Sequence, residues 1–108
     1  MVTPKDKKLD EIVRVLKNEF NPSRLFLFGS RATGNARPDS DYDFVLVVPE
    51  NTKARWENLE KARHLLHEKC NISADVFIYS QKEFDEWKDE FSSIPETAKN
   101  TGQEIDLV

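Results

Sequence analysis

Asp41 and Asp43 stand two residues apart at the mouth of an apolar run, Phe44-Val45-Leu46-Val47-Val48, and Gly29-Ser30 closes an earlier run, Leu25-Phe26-Leu27-Phe28. Side chains two apart on a strand share a face, so the two carboxylates project together, their Cα atoms roughly 6.5–7 Å apart. Carboxylates that close repel one another unless a cation lies between them, and hard divalent ions such as Mg²⁺ take oxygen ligands. A Gly-Ser turn opening onto a short helix presents backbone N–H groups to phosphate. A phosphate cradle and metal-binding carboxylates in one strand-turn-strand unit point to nucleotide chemistry.

The elements that must hold these residues follow from periodicity and punctuation. Thr3-Pro4 offers an N-cap with proline at the first helical position, and Leu9, Ile12, Val13, Leu16 and Phe20 recur at helical spacing, predicting a helix over 4–20 that Asn21-Pro22 ends. A strand is expected at 24–29, a short helix at 30–35 closed with the help of Gly34, a turn at Arg37-Pro38-Asp39, and a second strand at 42–48. That strand is apolar on both faces and hence central. Trp56, Leu59, Ala62, Leu66 and Cys70 mark a helix over 53–69, and Ala74–Tyr79 reads as a third strand. Ser80-Gln81-Lys82-Glu83 matches a capping box, starting a helix expected to turn Phe84, Trp87 and Phe91 inward. A last helix near 94–100 stops at Gly102, after which Glu104–Val108 either adds an edge strand or frays.

A full helix between the second and third strands implies a parallel pair joined by a right-handed crossover. The shorter link between the first and second permits an antiparallel pair. The fold class is therefore α+β, a small mixed sheet of three core strands, with a possible C-terminal edge strand, packed with helices. This topology brings Gly29-Ser30, Asp41, Asp43 and Asp75 to one edge of the sheet, so Asp75 is the natural third carboxylate.

Composition sets the outer bounds. The chain has 108 residues, 38% apolar and 33% charged, expected to form one domain over 1–108 with a single core. No apolar run approaches the ~20 residues of a membrane span, and Met1–Lys5 lacks a signal-peptide core. Cys70 is the only cysteine, which excludes an intrachain disulfide and suggests a reducing cytoplasm. A formal charge of −4 argues against direct nucleic-acid binding.

Together, Gly29-Ser30-Arg31-Ala32-x-Gly34, Ser40-Asp41-Tyr42-Asp43 and Asp75-Val76-Phe77 resemble the signature of the minimal nucleotidyltransferases of the DNA polymerase beta superfamily. The resemblance implies a polymerase beta palm-like fold in which Asp41, Asp43 and Asp75 hold two Mg²⁺ ions, with Mn²⁺ as a substitute, and Asp75 helps to activate the attacking hydroxyl. It assigns the triphosphate to Ser30 and neighbouring backbone amides, and the candidate nucleotide-binding residues are Gly29, Ser30, Arg31 and Ser40. Very small members of that family are often encoded beside a helical HEPN-domain toxin. The implied activity is transfer of AMP from ATP to the partner, commonly to a tyrosine, and the assembly is left open between a homo-oligomer and a hetero-complex. Two rivals stand beside it: an antitoxin that neutralises its toxin by binding alone, and a small-molecule adenylyltransferase with a separate acceptor-binding subunit.

Blander readings accompany each residue. Asp-x-Asp alone is usually a solvated strand end, and Gly-Ser alone a helix N-cap. Ser40 reads best as a turn cap supporting Asp41. Arg31 reaches phosphate, pairs with a carboxylate such as Asp39, or faces solvent. Arg37, His64 and His67 read as surface residues and Cys70 as a small buried hydrophobe. The run Asp85-Glu86-x-Lys88-Asp89-Glu90 is a solvated face or, for a basic partner, a docking edge.

Overall fold

The computed structural model describes residues 7–49 and 55–107. The Thr3-Pro4 cap, the expected first two residues of the second long helix, and the Trp56 side chain lie outside the described residues. Helix α1 (Lys7–Phe20) buries Leu9, Ile12, Val13 and Leu16. It ends because Asn21 takes a left-handed φ of 47° and donates its N–H to the Lys17 carbonyl at 3.0 Å, a conformation asparagine tolerates better than most residues. Strand β1 (Arg24–Phe28), helix α2 (Ser30–Thr33) and strand β2 (Tyr42–Val48) follow. Helix α3 (Arg55–Cys70) then crosses over to strand β3 (Ala74–Ser80). Helices α4 (Gln81–Trp87) and α5 (Ile94–Thr101) and the two-residue strand β4 (Gln103–Glu104) complete the order.

The sheet runs β3-β2-β1-β4. Strand β2 is antiparallel to β1 and parallel to β3, and β4 pairs antiparallel with the far edge of β1. Alternation along the inner strands feeds two cores. Leu25, Leu27, Phe44, Leu46 and Val48 face a cluster that includes Ile12, Leu16, Ala62, Leu66 and Cys70. Phe26, Phe28, Val45 and Val47 face Phe84 and Ala98. Each fully buried side chain of this size stabilises by about 1.5–3 kcal/mol, so β2 is clamped from both sides. Cys70 is 1% exposed and its thiol is pushed upward chiefly by burial.

The capping box forms as the sequence predicts: Ser80 Oγ accepts from Glu83 N–H, and Glu83 Oε1 accepts from Ser80 N–H. Its helix is shorter than expected, and this corrects the placement of two aromatics. Trp87 is 51% exposed and Phe91 92% exposed. The helical period ends at Trp87, where Glu90 N–H bonds to the Trp87 carbonyl and Ser93 N–H to the Glu90 carbonyl, reversing the chain. Ser92 adopts a φ of 65° in that turn, and Ser93 caps α5 by accepting from Glu96 N–H. Only Phe84 reaches the sheet.

Of the C-terminal segment, only Gln103–Glu104 form an edge strand, with Ile105 bridging to the sheet beyond it. Ile105 is buried and donates its N–H to the Leu25 carbonyl at 2.8 Å. Arg24 makes a two-pronged bond to Glu104, Nε to Oε2 at 3.0 Å and Nη2 to Oε1 at 2.8 Å, with its guanidinium over the Phe26 and Phe84 rings. After allowance for partial solvent screening, Glu104→Gln should cost about 1 kcal/mol at neutral pH. The Arg24 hydrogen bond holds the Glu104 carboxyl below its ordinary value, more than burial opposes it. The contribution is therefore present above the unfolded carboxyl pKa and lost as pH falls through the folded one. The Tm difference between wild type and variant should close in acid.

Candidate active site

At the end of β1 the chain turns through Gly29, with φ 74° and ψ −158°, a region open essentially to glycine alone. Two amides, those of Ala32 and Thr33, close on the Gly29 carbonyl at 3.0 and 3.2 Å, winding α2 immediately after the strand. Gly34, at φ 83°, ends it with its N–H on the Ser30 carbonyl. The turn lies flat against β2: a Cβ on Gly29 would strike the Asp43 carboxylate, with Asp43 Cγ only 3.3 Å away. Glycine is required here by backbone conformation and by the carboxylate it faces.

Register places the carboxylates. Asp43 is directly opposite Asp75 in the parallel β2–β3 pair, and Asp43 is also the partner of Phe28, the last residue of β1. By strand alternation Asp43 and Asp75 share a sheet face, and Asp41 precedes β2 by one residue. Tyr42 N–H bonds to the Ser73 carbonyl at 3.2 Å, fixing the start of the ladder between these acids. The Asp43 carboxyl is raised from its ordinary value, first by partial burial, then by Asp75, then by Asp41. The three acids are thus electrostatically coupled, and their oxygens are the donor type a hard divalent ion takes. Among the described residues, no three His, Cys, Asp or Glu side chains converge as a ready metal-ligand set.

Arg31 and Ser40 organise the loop that delivers Asp41. Arg31 Nε and Nη2 donate to the Ser40 carbonyl at 3.2 and 2.8 Å, and Nη2 also reaches the Pro38 carbonyl at 3.3 Å. Its guanidinium lies 4.4 Å from the Tyr42 ring centroid. Ser40 Oγ accepts from Arg37 N–H at 2.8 Å, and Ser40 N–H returns to the Arg37 carbonyl at 3.0 Å. Ser40 is therefore a turn cap, as its position suggests. Arg31 takes a fourth course beside the three expected for it, clamping loop carbonyls while covering an aromatic ring. Gln103 Nε2 meanwhile donates to the Ala32 carbonyl at 2.8 Å, tying β4 to the same helix.

A cleft of about 390 Å³ opens at this edge between the start of β3 and α3, lined by Asp41 and Asp75 and by Glu60, Arg63, His64 and His67. The two histidines are exposed, as the sequence suggests, yet they border the carboxylates. Arg63 carries no motif. The signal that could have found this wall is the stripe Glu60, His64, His67 at spacings of four and three, aimed along one side of α3.

The four-stranded mixed sheet packed with helices, with the Gly29 turn closing β1, Asp43 on its antiparallel neighbour and Asp75 on the parallel strand beyond, is an α+β architecture consistent with the nucleotidyltransferase fold. The chain belongs to the nucleotidyltransferase domain family, whose model matches residues 9–108, and its class of activity is nucleotidyl transfer. In fold, it is similar to a crystal structure of a toxin-antitoxin with AMP-PNP, with a TM-score of 0.60 at 18% identity, covering 92% of this chain and 72% of that one. No curated protein matches the sequence. Among the described residues, no helix is long and apolar enough to cross a membrane.

Proposed function

We propose that this protein transfers AMP from ATP to a hydroxyl, commonly a tyrosine, on a HEPN-type toxin partner, and so acts as its antitoxin in the cytoplasm. The observation that carries the chemistry is the register of Asp43 against Asp75, with the Gly29 turn pressed on Asp43 from the other side. The antitoxin role takes its support from the fold similarity to a toxin-antitoxin crystallised with AMP-PNP.

In this reading the Gly29-Ser30 turn receives the triphosphate through the Ser30 and Arg31 N–H groups, which open α2 ahead of the Ala32 and Thr33 amides held by the Gly29 carbonyl, and through the Ser30 hydroxyl. Asp41, Asp43 and Asp75 would hold Mg²⁺, which supplies charge neutralisation and a lowered acceptor pKa when bound. Arg31 and Ser40 position Asp41 from behind and stand at the nucleotide edge of the site. The acceptor hydroxyl oxygen forms a bond to the α-phosphorus, the bond from that phosphorus to the bridging oxygen breaks, and pyrophosphate leaves with the electron pair. The hydroxyl proton passes to a carboxylate, for which Asp75 is the candidate.

The test pairs the protein with the product of the adjacent gene, each purified separately and mixed with ATP and Mg²⁺. Intact-mass spectrometry should show adenylyl increments on the partner that disappear with Asp43→Asn. Full neutralisation of the partner by Asp43→Asn with no mass change under any condition would establish masking by binding instead.

A further inference from the structure

The cleft between α3 and the start of β3 lies on a defined side of the reacting centre. The strand order puts Asp43 in the middle, with the Gly29 turn on the β1 side and Asp75 on the β3 side. An in-line displacement needs the attacking oxygen opposite the leaving pyrophosphate. If the triphosphate occupies the Gly29-Ser30 side, the acceptor arrives from the β3 side, where the cleft is.

The two walls of the cleft differ in chemistry. Asp41 and Asp75 line one, and Arg63, His64 and His67 line the other, with Glu60 one turn earlier on α3. The three basic side chains are exposed and hold no ion pair or hydrogen bond with another described residue. Arg63 presents a planar guanidinium with several N–H donors, and each imidazole offers at least one more. Arg63 and the two imidazoles offer N–H donors to an anionic group, while Glu60 on the same helix and the aspartates opposite repel one, so an anion is held only where it reaches the Arg63 side of the cleft. A volume of about 390 Å³ falls within the ~300–1,000 Å³ typical of small-ligand sites, enough for a hydroxyl-bearing side chain and a neighbouring group.

We infer that this cleft is the acceptor subsite, and that it selects a hydroxyl carried next to an acidic residue. The hydroxyl side chain lies toward Asp75, and the flanking carboxylate is held by Arg63, His64 and His67. The inference rests on the transferase reading for the hydroxyl's role, but not for the binding of the acidic segment.

His64 and His67 are the only histidines of the chain and both line the cleft, so their ring-proton NMR signals report on it directly. The probes are a capped tyrosine peptide flanked by glutamates and its lysine-flanked counterpart. The glutamate peptide should shift both imidazole signals, and the lysine peptide should bind at least tenfold more weakly. Arg63→Glu should abolish that preference, and Arg63→Ala should weaken it, with ATP affinity unchanged in both. In the presence of ATP and Mg²⁺, the glutamate peptide should gain AMP with the lower KM. Unshifted imidazole signals, or a preference indifferent to Arg63, would overturn the inference and leave the transferase reading standing. Selective binding without AMP transfer, to peptide or to the partner protein, would sink the transferase reading and with it the acceptor role of the cleft.

Discussion

Asp43→Asn should make the ligand-free protein more stable at neutral pH while cutting nucleotidyl transfer by more than about 100-fold. The stability gain follows from electrostatics. Partial burial, Asp75 and Asp41 all raise the Asp43 carboxyl pKa, so the folded state binds a proton more readily than the unfolded chain. Stability contributed by protonated Asp43 is full below the unfolded carboxyl pKa and is lost as pH rises through the folded value. At pH 7 the ionised side chain is a liability that asparagine removes, and near pH 3 the advantage of the variant should vanish. Calorimetric Tm values at the two pH values, with single-turnover transfer at pH 7, check both halves. A variant less stable than wild type at pH 7 would mean that Asp43 is held by a compensating partner, and wild-type transfer would remove it from the chemistry.

Gly29→Ala should destabilise the fold by about 2–4 kcal/mol, lowering Tm by roughly 10 °C or more for a chain of this size. Two causes add. Alanine cannot adopt φ 74° with ψ −158° without strain, and its methyl group would meet the Asp43 carboxylate. A double-mutant cycle separates them. Adding Asp43→Ala removes the collision and should recover part of the loss, while the backbone share remains. The methyl group meets the Asp43 carboxylate, so on the proposed reading a loss of ATP affinity in this variant would follow from displacement of Asp43.

The motif segment was readable because its order is written locally: apolar runs alternate with glycine, proline and aspartate over fewer residues than one crossover. The parallel β2–β3 pair was readable because the intervening helix leaves few topologies. The packing of Phe91 was not, since a single serine cap at Ser93 and a left-handed turn at Ser92 stop α4 before its period reaches that residue. The partners of Arg31 were hidden for another reason. They are the Ser40 and Pro38 carbonyls and the Tyr42 ring, and every residue carries a carbonyl, so no side-chain pattern announces one as an acceptor. The cleft wall was hidden by exposure: on a charged helix, Arg63, His64 and His67 look like any solvated face until β3 is set beside them.

The register that opposes Asp43 to Asp75 also orders events during folding. The turn at Gly29 and the acids Asp41 and Asp43 belong to a short antiparallel unit, whose ends meet by closing a small loop. Asp75 reaches them only when α3 has docked and the parallel strand has paired, a non-local step that is intrinsically slower. A chain folded only through β2 would carry the glycine turn and two carboxylates without the third. Completion of the carboxylate set is thereby tied to completion of the sheet, so a nascent or partly opened molecule lacks the group proposed to take the acceptor's proton.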